Sequence, residues 1–151
     1  LAACMFKAGA AEVAVADTIG SGDPARVKFI FETLANRYGA GRLAGHFHDT
    51  RGLALANTWA ALECGVRKFD TAIGGLGGCP FAPGATGNVA TEDVVHMLEC
   101  SGFETAIDME GLRNAVAVAE KHTELKLGGR VLTWIESQER HQQAKAVAAA
   151  E

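Results

Sequence analysis

The sequence predicts an α/β fold in which a parallel sheet is covered by helices. Two observations carry that prediction. Three short apolar runs recur along the first half of the 151-residue chain, each followed by a segment with helical apolar spacing. Each apolar run also ends in polar residues, at the strand ends where parallel sheets gather their chemistry.

The first strand is predicted from Glu12 to Ala16, ending at Asp17-Thr18. Asp23 is placed to cap the helix that follows and Pro24 to open it, because proline has no N–H to waste in a first turn. That helix runs to about Tyr38, with Val27, Phe31 and Leu34 on one face. The second strand spans about Arg42 to Phe47 and reaches His48-Asp49-Thr50, with Gly52 in the turn. Its helix covers Leu53 to Cys64, and Gly65 stops it.

The third strand is predicted from Lys68 to Ala72. A long loop follows, from Gly74 to Gly87, and Asn88 ends it. The next helix starts near Thr91, with Thr91 as a capping residue and Glu92 and Asp93 as early negative charge. Beyond Cys100, helices are predicted over Asp108 to His122 and Val131 to Ala150. The second of these is strongly polar from Gln138 to Lys145, as a solvated terminal helix would be. The domain division expected is 1–130 for the βα units and 131–151 for a helical tail.

Composition narrows the function. Hydrophobic residues make up 48% of the chain, which excludes a disordered protein. The net charge is −4 and no run of Lys and Arg forms a nucleic-acid footprint. No apolar stretch is long enough to span a membrane. The four cysteines form no C-x-x-C pair, so they read as reduced thiols in a cytoplasmic compartment. Cys4, Cys64 and Cys100 fall in helical, apolar contexts and are expected to be packing residues. The start, Leu-Ala-Ala-Cys, lacks a basic region and an initiator Met, and reads as a helix already under way. The expectation is a truncated chain without a signal peptide.

The densest cluster of candidate chemistry is Gly45-His46-Phe47-His48-Asp49. Residues two apart on a strand project to one side, so His46 and His48 can offer two imidazoles to one metal ion. The alternative is two unrelated histidines, one hydrogen-bonded in the core. Asp49 can orient an imidazole or cap the following turn. Asp17 can hold a metal-bound water, take a proton, or cap its own loop. The segment from Gly74 to Asn88 has six glycines in fifteen residues, a composition costly to order unless backbone must approach a ligand or a lid must move. Cys79, in its middle, can exchange a proton or be a tolerated small residue. Asn88 can give its side-chain carbonyl oxygen to a hard cation or cap the next helix.

These segments together resemble a family. Gly75 to Asn88, with Val89-Ala90-Thr91-Glu92-Asp93 after it, is similar to the signature loop of 3-hydroxy-3-methylglutaryl-CoA lyases. His46-Phe47-His48-Asp49-Thr50 resembles that family's metal-binding strand, and Leu55-Ala56-Asn57-Thr58 the helix after it. Asp17-Thr18-Ile19-Gly20 matches a further motif. The likeness runs from roughly Glu12 to Leu98. It implies the C-terminal part, about three βα units plus terminal helices, of a (β/α)8 barrel. The reaction implied is cleavage of 3-hydroxy-3-methylglutaryl-CoA to acetyl-CoA and acetoacetate, with an acyl-CoA substrate and a homodimer as the complete enzyme.

Carried onto this sequence, the resemblance makes His46, His48 and Asn88 ligands of Mg2+ or Mn2+. It makes Cys79 the loop cysteine of proton transfer and Asp17 an active-site carboxylate near the substrate. Glu92 is a weaker candidate. Asp17 and His46 are both candidates for the general base. A full barrel needs about 250 residues. The three strands therefore look like the last three of eight, and the family's Arg-Asp strand, which supplies the remaining metal ligand, is missing. Arg51 lies on the wrong strand to replace that Arg. Two rivals stand beside the lyase reading. One is a Claisen-type synthase of the same barrel superfamily, whose loop resembles G-L-G-E-R-A-G-N without a cysteine. The other is a non-catalytic fragment, because three βα units leave open sheet edges.

Overall fold

The computed structural model describes residues 1–78 and 87–149. Cys79, and most of the glycine-rich loop around it, lie outside the described residues. The described chain divides into two compact units, residues 1–72 with 76–89, and residues 73–75 with 90–151.

The first unit is a three-stranded parallel sheet in the order β1-β2-β3, with β1 at Val13–Asp17, β2 at Leu43–Phe47 and β3 at Phe69–Asp70. The register pairs Asp17 with Phe47 and His46 with Asp70. The polar ends of the strands therefore come to one edge of the sheet. A short helix α1 covers Ala2–Lys7. Helix α2 spans Pro24–Tyr38, capped by Asp23, whose carboxylate accepts the Arg26 N–H. Val27 and Phe31 are its buried residues, and the Phe31 ring packs 6.2 Å from that of Phe47. Helix α3 spans Ala54–Glu63. It ends at Gly65, whose φ of 88° is the left-handed conformation a glycine adopts without strain. Leu43, Ala54, Ala61 and Val66 are fully enclosed between sheet and helices.

Two expectations need adjustment here. The third strand is two residues long rather than five, because only Phe69 and Asp70 pair with β2. Ala72 instead donates its N–H to Val89, in the segment after the loop. Cys4 is exposed rather than packed, while Cys64 is half-buried with its Sγ 3.2 Å from the Ala60 carbonyl. Burial is the main cause that pushes the Cys64 thiol up from its ordinary pKa.

The second unit contains α4 at Thr91–Cys100, α5 at Met109–Thr123 and α6 at Arg130–Ala148. Asp108 caps α5 by accepting the Glu110 and Gly111 N–H groups. The start of α4 differs from expectation: its N-cap is Ala90, not Thr91. Glu92 and Asp93 do not face solvent in its first turn. The Glu92 carboxylate is fully buried and accepts the N–H of Gly74 at 3.0 Å and of Gly129 at 2.6 Å. Asp93 accepts the N–H of Arg130 and Val131, so a side chain from α4 caps the start of α6. Arg113 on α5 grips Glu139 on α6 with two N–H···O bonds of 2.6 and 2.7 Å. The polar stretch of α6 is thus solvated except for this pair. Cys100 is exposed, the second departure from a packing role.

Candidate functional site

The site is built at the ends of β1 and β2. His46 is the penultimate residue of β2, and His48 lies one residue beyond its end. The two-residue spacing puts both imidazoles on one side, with ring centroids 5.1 Å apart and edge to face. His48 is 8% exposed, and its backbone bridges to Asn88 in an antiparallel contact. The segment after the glycine-rich loop is carried by that bridge and by the Val89 N–H, which donates to Phe47 O.

Asn88 is the most informative side chain. Its Nδ2 donates to the Leu76 carbonyl at 3.0 Å. Its Oδ1 is buried and has no hydrogen-bond partner among the described residues. Leaving a buried carbonyl oxygen unpaired costs about 1–3 kcal/mol. Gly77 helps to seat this side chain: with φ at +119°, a Cβ there would stand 2.6 Å from Asn88 Nδ2. Only glycine lets the loop backbone come so near.

One of the two imidazoles has a nitrogen oriented by a hydrogen bond. His48 Nδ1 lies 3.1 Å from Asp17 O. A carbonyl only accepts, so Nδ1 carries a proton, and in the neutral ring Nε2 then holds the lone pair. His46 Nδ1 lies 3.6 Å from the Asp70 carboxylate. The first contact is the support expected of an imidazole that offers Nε2 to a cation; the second is an ion-pair distance only. The amide oxygen, without a partner among the described residues, and the two imidazoles are donor types that suit a divalent cation of borderline to hard character. Among the described residues, no three His, Cys, Asp or Glu side chains converge on one point, so the set is incomplete as a cage.

The Asp17 carboxylate closes its own loop, accepting the N–H of Ser21 at 2.9 Å and of Gly22 at 2.8 Å. Asp49 accepts the Ala54 N–H and so takes its helix-capping alternative. Arg51 binds the carbonyls of Ile19 and Gly20 through one guanidinium nitrogen. Glu92 lies in the second unit, tied to backbone as described above. Asn57, named in the sequence only within the Leu55-Ala56-Asn57-Thr58 motif and given no role there, is fully buried on α3 and donates to Gly22 O at 3.0 Å. A polar residue at a core-facing position of α3 was the signal that could have found it.

The HMGL-like family model matches residues 1–119. A hydroxymethylglutaryl-CoA lyase of Bacillus subtilis is 47% identical over 121 residues, which are 80% of this chain and 40% of that protein. A Pseudomonas aeruginosa protein named 3-hydroxy-3-isohexenylglutaryl-CoA/hydroxy-methylglutaryl-CoA lyase is 49% identical over 107 residues, 71% of this chain and 36% of that one. Among solved structures, an HMG-CoA lyase from Acinetobacter baumannii in complex with coenzyme A and 3-methylmalate superposes with a TM-score of 0.80. It is 41% identical, and the match covers 85% of this chain and 42% of that one. The chain spans about two fifths of the length of these relatives. It belongs to the HMGL-like family, with the parallel α/β architecture of that barrel superfamily.

Proposed function

We propose that this chain contributes the metal-binding strand ends of a lyase that cleaves 3-hydroxy-3-methylglutaryl-CoA to acetyl-CoA and acetoacetate. The observation that carries this is the buried Asn88 Oδ1, without a partner among the described residues, on a residue whose backbone bridges to His48, in a chain whose relatives carry lyase names. Those names favour the lyase over a Claisen-type synthase. The three strands are read as the C-terminal part of a (β/α)8 barrel, with 1–130 as barrel and 131–151 as tail. A homodimer for the whole enzyme follows from the same resemblance, and a cytoplasmic location rests on reading the cysteines as reduced thiols.

His46, His48 and Asn88 would hold Mg2+ or Mn2+. Such a cation, when bound, supplies charge that stabilises an alkoxide and a carbonyl oxygen. The chain's residues do the rest. A base removes the proton of the tertiary alcohol; Asp17 and His46 are the two candidates. The C–C bond then breaks, its electron pair going to the acetyl-CoA fragment as an enolate while the alcohol carbon becomes the ketone of acetoacetate. An acid returns a proton to the enolate carbon. Cys79 is assigned that role on the resemblance. Asp17 keeps lone pairs on both carboxylate oxygens after taking the Ser21 and Gly22 amides, so it can serve the substrate while fixed by its loop.

The test is acetoacetate release from 3-hydroxy-3-methylglutaryl-CoA with Mg2+ present. The chain alone should be inactive, and activity should appear when the N-terminal portion of the Bacillus subtilis relative is supplied with it. Failure of every such complementation by a folded complex would refute the lyase reading. Full activity of the chain alone would refute its being a part.

A further inference from the structure

The loop after β1 is held by an inner brace. Asn57 on α3 is fully buried, yet its side chain makes one hydrogen bond, from Nδ2 to Gly22 O at 3.0 Å. Its Oδ1 is buried and has no partner among the described residues. A core asparagine that leaves half its amide unpaired weakens the fold compared with an apolar residue of its size. Its single bond must therefore do something packing cannot. That bond fixes the Gly22 carbonyl, and the N–H of the same residue donates to Asp17 Oδ2 at 2.8 Å. The backbone of the same Asp17 presents its carbonyl to His48 Nδ1 at 3.1 Å. Gly22 can sit this close because it has no side chain: a Cβ there would stand 3.0 Å from Asp17 Oδ2 and 3.7 Å from Asn57 Nδ2.

We propose that Asn57 is a positioning residue for His48, acting through Gly22 and Asp17 to hold the imidazole in the tautomer whose Nε2 carries the lone pair. The proposal rests on the metal-site reading for its purpose, but the tautomer control itself is a property of the metal-free chain. Without the brace, the 17–22 loop loses its inner anchor. The Asp17 carbonyl then no longer selects the Nδ1–H form, and the imidazole divides between two tautomers.

The test uses the full 151-residue chain and two readouts. Long-range 1H–15N correlation spectra report which nitrogen of His48 carries the proton, and Mn2+ titration reports affinity. The unaltered chain should show a single Nδ1–H tautomer at His48. Asn57→Leu, close in volume and apolar, should unfold at or above the wild-type midpoint, give a tautomer mixture at His48 and bind Mn2+ about tenfold more weakly. An unchanged His48 spectrum in folded Asn57→Leu would overturn the proposal. If that variant does not fold, the unaltered chain still decides. A tautomer mixture there, or fast exchange of the Asn57 side-chain amide protons, overturns it. Slow exchange with a single tautomer supports it. Lack of Mn2+ binding to an unaltered chain with a single His48 tautomer would sink the metal reading and leave the brace standing.

Discussion

His48 is held by the backbone of Asp17 and not by its carboxylate: Nδ1 lies 3.1 Å from Asp17 O, while both carboxylate oxygens bind loop amides. One residue thus orients an imidazole and closes a turn through different atoms. Removing the Asp17 side chain would disturb His48 only through the loop, whereas an altered loop backbone would reach it directly.

Gly20 is the first place to test that loop. Its φ is +60°, and an added Cβ would meet His48 O and Thr50 Cβ at 2.9 Å. Gly20→Ala combines left-handed strain with backbone overlap, and a loss of about 2 kcal/mol or more is expected. Urea unfolding measures it. A cost within about 0.5 kcal/mol, the range of an ordinary surface change, would contradict the geometry.

Asn88 should separate ligation from packing. Asn88→Leu removes the unpaired oxygen and is expected to weaken Mn2+ binding by at least about tenfold. Asn88→Asp keeps an oxygen in place and adds charge, so binding should be retained or tightened. Equal Mn2+ affinity for the wild type and the Leu variant, by calorimetry, would remove Asn88 from the donor set.

Glu92 is expected to act on stability. Its buried carboxylate satisfies the Gly74 and Gly129 amides, and Glu92→Ala would leave both unpaired. The expected cost is about 2–4 kcal/mol, with faster hydrogen exchange at those two amides. Slow exchange at both amides in the variant would show that the carboxylate is not what protects them.

The Arg113–Glu139 pair sets an acid limit on the contact between α5 and α6. Its hydrogen bond to Arg113 is the main cause holding the Glu139 carboxyl below the usual carboxylate range, and it raises Arg113 in turn. A depressed folded pKa means stability fully present above the unfolded value, about 4.3, and lost as pH falls through the folded value. Glu139→Gln should remove that part of the acid dependence, and 1 M salt should flatten it. A 13C titration of the Glu139 carboxyl with an unshifted midpoint would contradict this account.

The sequence by itself determined the order of elements, the cap at Asp23, and the gathering of His46 and His48 on one side of a strand end. Those features follow from local periodicity: two residues per repeat on a strand, 3.6 on a helix, and a short polar side chain beside free N–H groups. Only the likeness to one family put His48 and Asn88 in one ligand set, and the backbone bridge between them came from the tertiary structure. Tertiary structure alone decided where backbone groups find partners. Glu92 and Asp93 reach amides 37 and 38 residues away, Asn57 reaches a carbonyl 35 residues away, and His48 takes a carbonyl instead of the nearby carboxylate. Backbone donors and acceptors are the same in every residue, so no side-chain pattern announces which of them will meet. Exposure of Cys4 and Cys100 was hidden for a related reason: a helical context says that a residue has a face, and only packing says what covers it.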